Sequence, residues 1–167
     1  MPEATYLAPA KINLFLHITS KRADGYHNLQ TIFQLLNFSD EVTFSLRNDG
    51  EIKRIYGNET ISPDKDLILR SAHTLKKYSK TKAGVDIGVI KKIPSGGGLG
   101  GGSSNAATVL IALNDLWNLK LPKSELLDIG QILGADVPVF VNGHSAWAEG
   151  KGDILTPINL PRFFYLV

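Results

Sequence analysis

Six of the seven residues from Gly96 to Gly102 are glycine, within the run Pro94-Ser95-Gly96-Gly97-Gly98-Leu99-Gly100-Gly101-Gly102-Ser103-Ser104. Glycine loses more backbone freedom on ordering than any other residue, so such a run needs a reason. Without side chains, several backbone N–H groups converge on one anion. The run lies between a strand and a helix expected to begin at Ser103, where free N–H groups and the positive dipole end favour phosphate. Ser103 or Ser104 is expected to cap that helix and to offer a hydroxyl to phosphate or its magnesium ion. A flexible linker is the plain alternative, but a linker is not set between a strand and a well-patterned helix.

The sequence separates the known kinds of phosphate loop. A Walker motif needs Lys-Ser or Lys-Thr after its last glycine, whereas Gly102 is followed directly by Ser103. Gly96, Gly98 and Gly101 satisfy the dinucleotide spacing, a weak pattern when alone. A dinucleotide fold should then offer a second strand ending in an acidic residue about twenty positions on. Here the helix runs instead into Asn118-Leu119-Lys120-Leu121-Pro122 and a further helix.

Six other residues have chemical potential and a plainer reading. Asp136 adjoins the apolar run Val137–Val141, an awkward place for a charge unless it is used; the plain reading is a capping or turn aspartate. Lys11 and Asn13 share one face of a strand and, unaided, read as surface residues. Gly25-Tyr26-His27 reads as a turn with one half-buried aromatic, and Lys151, between Gly150 and Gly152, as a solvated turn lysine. His17, His73 and His144 have no metal-like spacing and are read as structural, and no metal site is expected among the protein's own side chains.

The positioning elements follow from periodicity. Ile12, Leu14, Leu16 and Ile18 alternate with Asn13, Phe15 and His17, predicting a strand whose aliphatic face lies opposite Lys11 and Asn13. Further strands are predicted over 31–37 and 42–46, and Asn48-Asp49-Gly50 predicts a hairpin returning through 52–56. A polar loop over 58–66 precedes a helix over 67–79, with Ile68, Ala72 and Leu75 on its apolar face. Val85, Ile87 and Val89 mark the strand leading to Pro94. Ala106, Leu110, Leu113 and Trp117 follow i, i+4, i+7, i+11 as an amphipathic helix. A second helix covers 124–133, and short strands cover 145–149 and 153–156. Strands come first and helices cluster later, which predicts an α+β fold rather than a doubly wound sheet.

Composition narrows the partners. The chain has 167 residues, 43% hydrophobic and 20% charged, ordinary for one soluble globular domain. A net charge of +2, from 18 basic and 16 acidic residues, is too even for nucleic acid as the main partner. It still suits an anionic small ligand. With no cysteine, disulfides, cysteine–zinc sites and a thiol nucleophile are excluded. The segment from Ala106 to Leu113 is far too short to span a bilayer, and the start lacks a signal-peptide pattern, so no membrane partner and a cytoplasmic location are expected. The final run Phe163-Phe164-Tyr165-Leu166-Val167 reads as a buried strand without a polar tail, as in a fragment of a longer chain. Oligomeric state is not legible.

The segment from Pro94 to Thr108 resembles the phosphate-loop motif of the superfamily of galactokinase, homoserine kinase, mevalonate kinase and phosphomevalonate kinase. Ala8-Pro9-Ala10-Lys11-Ile12-Asn13-Leu14, Arg22-Ala23-Asp24-Gly25-Tyr26-His27 and Gly134-Ala135-Asp136-Val137-Pro138-Val139-Phe140 are similar to its branch that acts on a cytidine-diphosphate-linked methylerythritol in non-mevalonate isoprenoid synthesis. The resemblance covers essentially the whole chain. It implies an α+β fold like domain 2 of ribosomal protein S5 for residues 1–167, an amino-terminal ATP-binding domain whose carboxyl-terminal partner domain is missing here. It implies transfer of the γ-phosphate of ATP, with Mg2+, to the 2-hydroxyl of that substrate. Asp136 is then the general base and Lys11 the catalytic lysine. Residues 94–104 bind ATP. Tyr26 stacks on the cytosine, His27 hydrogen-bonds it, and Asn13 and Lys151 contact substrate. Where the family commonly has an asparagine beside adenine, this chain has Asp66, which accepts but does not donate.

Two other readings stay open. One is another small-molecule kinase of the same superfamily, which Gly25-Tyr26-His27 would discriminate by a preference for cytidine diphosphate. The other is a non-catalytic nucleotide- or RNA-binding module on the same fold, which would show steep salt dependence if it bound RNA.

Overall fold

The computed structural model describes residues 3–57 and 60–160. The run 163–167 expected as a strand lies outside the described residues, as do Asn58 and Glu59 of the polar loop. In chain order the elements are β1 (Ala4–Lys21), β2 (His27–Arg47), β3 (Ile52–Tyr56), α1 (Leu67–Ser79), β4 (Gly84–Ile90), α2 (Gly101–Leu116), α3 (Lys123–Leu133), α4 (Val137–Asn142), β5 (Ala146–Glu149) and β6 (Ile154–Pro157). The arrangement is α+β, as the order of predicted elements implied.

The sheet is organised by β2. It runs unbroken through the two strands predicted separately over 31–37 and 42–46 and pairs antiparallel with β1 from Lys21–His27 to Ala4–Phe44. Its other edge is shared. Residues Glu41–Arg47 pair with β4 and residues Thr31–Phe33 with β5, leaving a fork between them at residues 34–40. The glycine loop leaves β4 at this fork.

The predicted hairpin at Asn48–Gly50 does not form. Gly50 does turn the chain, with φ of 77°, but β3 pairs parallel with β4, and β4 lies between β3 and β2. A parallel pair needs a crossover, which α1 supplies. The placement follows from side chains: Val85, Ile87 and Val89 suit a central strand, while Lys53 and Arg54 suit an edge. Tyr56 lies flat over β4, where a methyl on Gly88 would come within 2.1 Å of its ring, and its hydroxyl meets Thr43 Oγ1 at 2.6 Å.

The predicted faces of β1 are also corrected. Cross-strand partners share a face. Lys11 and Asn13 lie opposite Leu35 and Phe33, and after a register shift Leu16 and Ile18 lie opposite Thr31 and Leu29. Because β2 keeps its period of two from Phe33 to Leu29, the shift puts Leu16 and Ile18 on the same face as Lys11, not opposite it. These side chains are exposed, Leu16 by 50% and Ile18 by 63%.

Val42 and Phe44 of β2, Val85, Ile87 and Val89 of β4, and Ile68, Ala72 and Leu75 of α1 form one buried cluster with α2 and α3. Ala106, Leu110, Leu113 and Trp117 are all buried, as their spacing predicted. Burial of a side chain such as Phe44 contributes about 1.5–3 kcal/mol. The cluster fixes α2 against β1 and β2, and so fixes the end of the helix that receives the glycine loop. Among the described residues no helix is long and apolar enough to cross a membrane.

Candidate active site

The glycine run forms an open loop that ends in α2. Gly96, Gly98 and Gly100 have φ of 80°, 72° and 72°, a region that side chains disfavour. A methyl on Gly96 or Gly98 would meet nothing within 4 Å, so these residues leave clear space above the backbone. At Gly100 closeness rules: a methyl would lie 2.8 Å from Phe140 and 3.2 Å from Lys11 Cε. The helix begins at Gly101 with Gly100 as its cap residue, so Ser103 and Ser104 sit inside the first turn and do not cap it, contrary to the sequence expectation. The N–H groups of Gly101, Gly102 and Ser103 therefore have no partner within their own helix. With Leu67, Lys91 and Ile93, the loop lines a cleft of about 300 Å³, at the lower end of ligand-site sizes.

Lys11 joins this loop to the other candidate residues. Its N–H donates to Leu99 O at 2.9 Å, tying β1 to the loop. Its ammonium donates to Asn13 Oδ1 at 2.7 Å, lies 3.3 Å from Asp136 Oδ2, and stands 5.1 Å from the centre of the Phe33 ring. Asn13 in turn donates to Thr31 Oγ1 at 2.9 Å, which bonds the carbonyl of Phe15. Asp136 occupies the residue before α4 but makes no capping bond; its carboxylate is 38% exposed and turns to Lys11. A buried cation held by an amide oxygen, an aromatic face and a half-open carboxylate is an arrangement for handling a proton next to an anion.

The remaining candidates gather at the far end of β1 and β2. Asp24 shapes their connecting turn by accepting the Tyr26 N–H at 3.1 Å and by pairing with Arg22. Slight burial acts to raise the pKa of Asp24, but the Tyr26 and Arg22 bonds and the charge of Lys151 outweigh it and hold the carboxyl below its ordinary value. The Lys151 ammonium sits 4.9 Å from the Tyr26 ring centre, and Leu29 N–H donates to Gly150 O at 2.8 Å. Tyr26 is 59% exposed, and His27 is exposed beside it. Phe33 links the two groups: its ring is under Lys11 and would lie 3.6 Å from a methyl on Gly152. The structure thus brings Lys11, Asn13, Asp136 and the glycine loop together, and Tyr26 and Lys151 into a second cluster one ring away.

The GHMP kinases N terminal domain family matches residues 66–144. A 4-diphosphocytidyl-2-C-methyl-D-erythritol kinase from Ruthia magnifica subsp. Calyptogena magnifica is 58% identical over 98% of this chain and 58% of its own length. This chain is similar to the amino-terminal part of GHMP kinases. A crystal structure of 4-(cytidine 5'-diphospho)-2C-methyl-D-erythritol kinase matches with a TM-score of 0.80 and 39% identity, over 95% of this chain and 56% of that one. The Methanococcus jannaschii mevalonate kinase, at 18% identity and a TM-score of 0.70, shares the fold. The chain spans little more than half the length of these relatives.

Within the stretch that matches the family, Asp66 has a use of its own. It is 1% exposed, caps α1 by accepting Ile68 N–H at 2.9 Å, and pairs with Arg54 through its second oxygen. Both oxygens are thereby engaged inside the protein. Sequence reasoning missed Thr31, Phe33, Asp40, Lys91 and Asn105. Asp40, fully buried at the fork in β2, accepts N–H groups of Lys92 at 2.7 Å and Ile93 at 2.8 Å. Burial acts to raise the pKa of Asp40, but the Ile93, Lys91, Lys92 and Asn105 donors outweigh it and hold the carboxyl below its ordinary value. The strands predicted over 31–37 and 42–46 leave Asp40 outside both. Only the continuity of β2 gives Asp40 its place.

Proposed function

We propose that this chain is the amino-terminal, nucleotide-binding part of an enzyme that transfers the γ-phosphoryl group of MgATP to the 2-hydroxyl of 4-diphosphocytidyl-2-C-methyl-D-erythritol, in the cytoplasm. The observation that carries the proposal is the Lys11–Asp136 pair, 3.3 Å apart, with Lys11 bonded to the glycine loop through Leu99. In this reading the triphosphate lies in the cleft against the N–H groups of the loop and the first turn of α2. Asp136 accepts the proton of the acceptor hydroxyl as that oxygen forms its bond to the γ-phosphorus. The bond from the γ-phosphorus to the β–γ bridging oxygen breaks, and ADP leaves with the electron pair. Lys11 holds the Asp136 carboxylate in place and offsets charge on the phosphoryl group in flight.

For the acceptor, Tyr26 offers an aromatic face for a pyrimidine, and His27 stands next to it as a hydrogen-bonding group. Lys151 supplies positive charge for a diphosphate, and Asn13, beside Lys11, suits the hydroxyls of the sugar alcohol. The named relatives support this acceptor over mevalonate, homoserine or galactose. The test is ADP release by the full-length enzyme with each of these four acceptors in turn. Release with the cytidyl substrate alone supports the proposal; equal release with mevalonate or homoserine refutes its substrate half.

A further inference from the structure

Resting on the nucleotide reading of the glycine cleft, the geometry points to Asp40 as a positioning residue for MgATP binding, acting through Lys91 and through both ends of the glycine loop. Asp40 is completely buried, yet it is charged and surrounded by donors. One oxygen takes the N–H groups of Lys92 and Ile93, the last residues before Pro94. The other takes Asn105 Nδ2 at 2.9 Å, one turn into α2, and the Lys91 ammonium. A single carboxylate therefore fixes where the loop starts and where it ends. The loop itself is nearly free of side chains and has little packing of its own to hold it.

Lys91 gives the carboxylate a second effect. Its ammonium donates to Asp40 and, at 2.9 Å, to Asn105 Oδ1, which leaves one of its three N–H bonds. The same nitrogen lies 3.2 Å from where a methyl on Gly101 would stand, and Lys91 lines the cleft. Asp40 and Asn105 thus hold a cation beside the first residue of α2, where an anion would meet the helix end. Asp40 touches no ligand in this scheme. It sets the position of groups that do, and charge-assisted bonds of this kind lose much of their strength when the acceptor becomes neutral.

The experiment is steady-state kinetics of the full-length enzyme, varying MgATP and acceptor separately, in wild type, Asp40→Asn, Lys91→Met and the double variant. Asp40→Asn is expected to raise KM for MgATP about tenfold while kcat and the acceptor KM stay within about twofold. The double variant should be no weaker for MgATP than Lys91→Met alone, because both changes disable one unit. A purely structural role would lower the melting temperature and leave that KM unchanged. A folded Asp40→Asn enzyme with wild-type KM for MgATP, or fully additive effects in the double variant, overturns the inference. If Asp40→Asn does not fold, Asn105→Ala takes its place, since it cuts the tie to α2 while Asp40 keeps its main-chain partners; an unchanged KM there overturns the inference equally. A wild-type enzyme with no dependence on MgATP would instead overturn the nucleotide reading of the cleft.

Discussion

The Lys11 ammonium and the Asp136 carboxylate lie 3.3 Å apart in unlike surroundings, with side-chain exposures of 6% and 38%. The cation is sealed between strand and loop, and the carboxylate is partly open to solvent. An acid–base group must reach its substrate, whereas a charge that tunes it works best where water is excluded. That difference in exposure is what the proposed roles of the two residues require.

Asp136→Asn should lower kcat by about 10²–10⁴-fold in the full-length enzyme, the usual range for loss of a general base. MgATP affinity, measured by calorimetry, should stay within about threefold, because the loop is untouched. The same change strands a buried ammonium, so the melting curve should report a loss of about 1–3 kcal/mol. Lys11→Met should cut kcat as severely.

Gly98→Ala separates conformation from contact. Its φ of 72° makes any side chain strained, at a cost of about 1 kcal/mol, although no atom stands within 4 Å of the added methyl. MgATP binding should fall by more than that stability loss explains, since the methyl enters the ligand's space. Equal, small losses in both would place the phosphate elsewhere.

Asp40 predicts an acid limb in stability. Its folded pKa lies below the ordinary carboxylate value, so its contribution is fully present above the unfolded value of about 3.9 and is lost as pH falls through the lower folded one. The melting temperature of Asp40→Asn should lie below wild type at pH 6, and the gap should narrow as the pH falls below the unfolded value. Parallel curves for the two proteins would assign the acid limb to other carboxylates.

Tyr26 carries the acceptor half. Tyr26→Ala should raise the acceptor KM about tenfold, from loss of base stacking worth about 1–3 kcal/mol, and leave KM for MgATP unchanged. Cytidine diphosphate should compete with the acceptor better than uridine or adenosine diphosphate in the wild type, and lose that preference in the variant.

Period and punctuation made much of this legible. The helical spacing of Ala106, Leu110, Leu113 and Trp117 marked the buried face of α2, and the glycine run marked the loop before it. What escaped depended on contacts distant in sequence. A register shift between Asn13 and Leu16 turned an alternating pattern onto the other face, and alternation alone cannot report a bulge in its own strand. Asn48-Asp49-Gly50 did turn the chain, yet the more apolar β4 took the inner place beside β2. Val137–Asn142, an apolar run without polar alternation, is the short helix α4. Asp40 falls between the two strands predicted over 31–37 and 42–46, and only the unbroken β2 gives it a place.

Phosphorus NMR of the full-length enzyme with MgATP and 4-diphosphocytidyl-2-C-methyl-D-erythritol follows the phosphoryl group itself. A new phosphomonoester signal on the acceptor should grow as the γ-phosphate signal declines, with no such growth for Asp136→Asn. ATP left intact by the wild type, or split to inorganic phosphate with the acceptor unchanged, would contradict phosphoryl transfer to the acceptor.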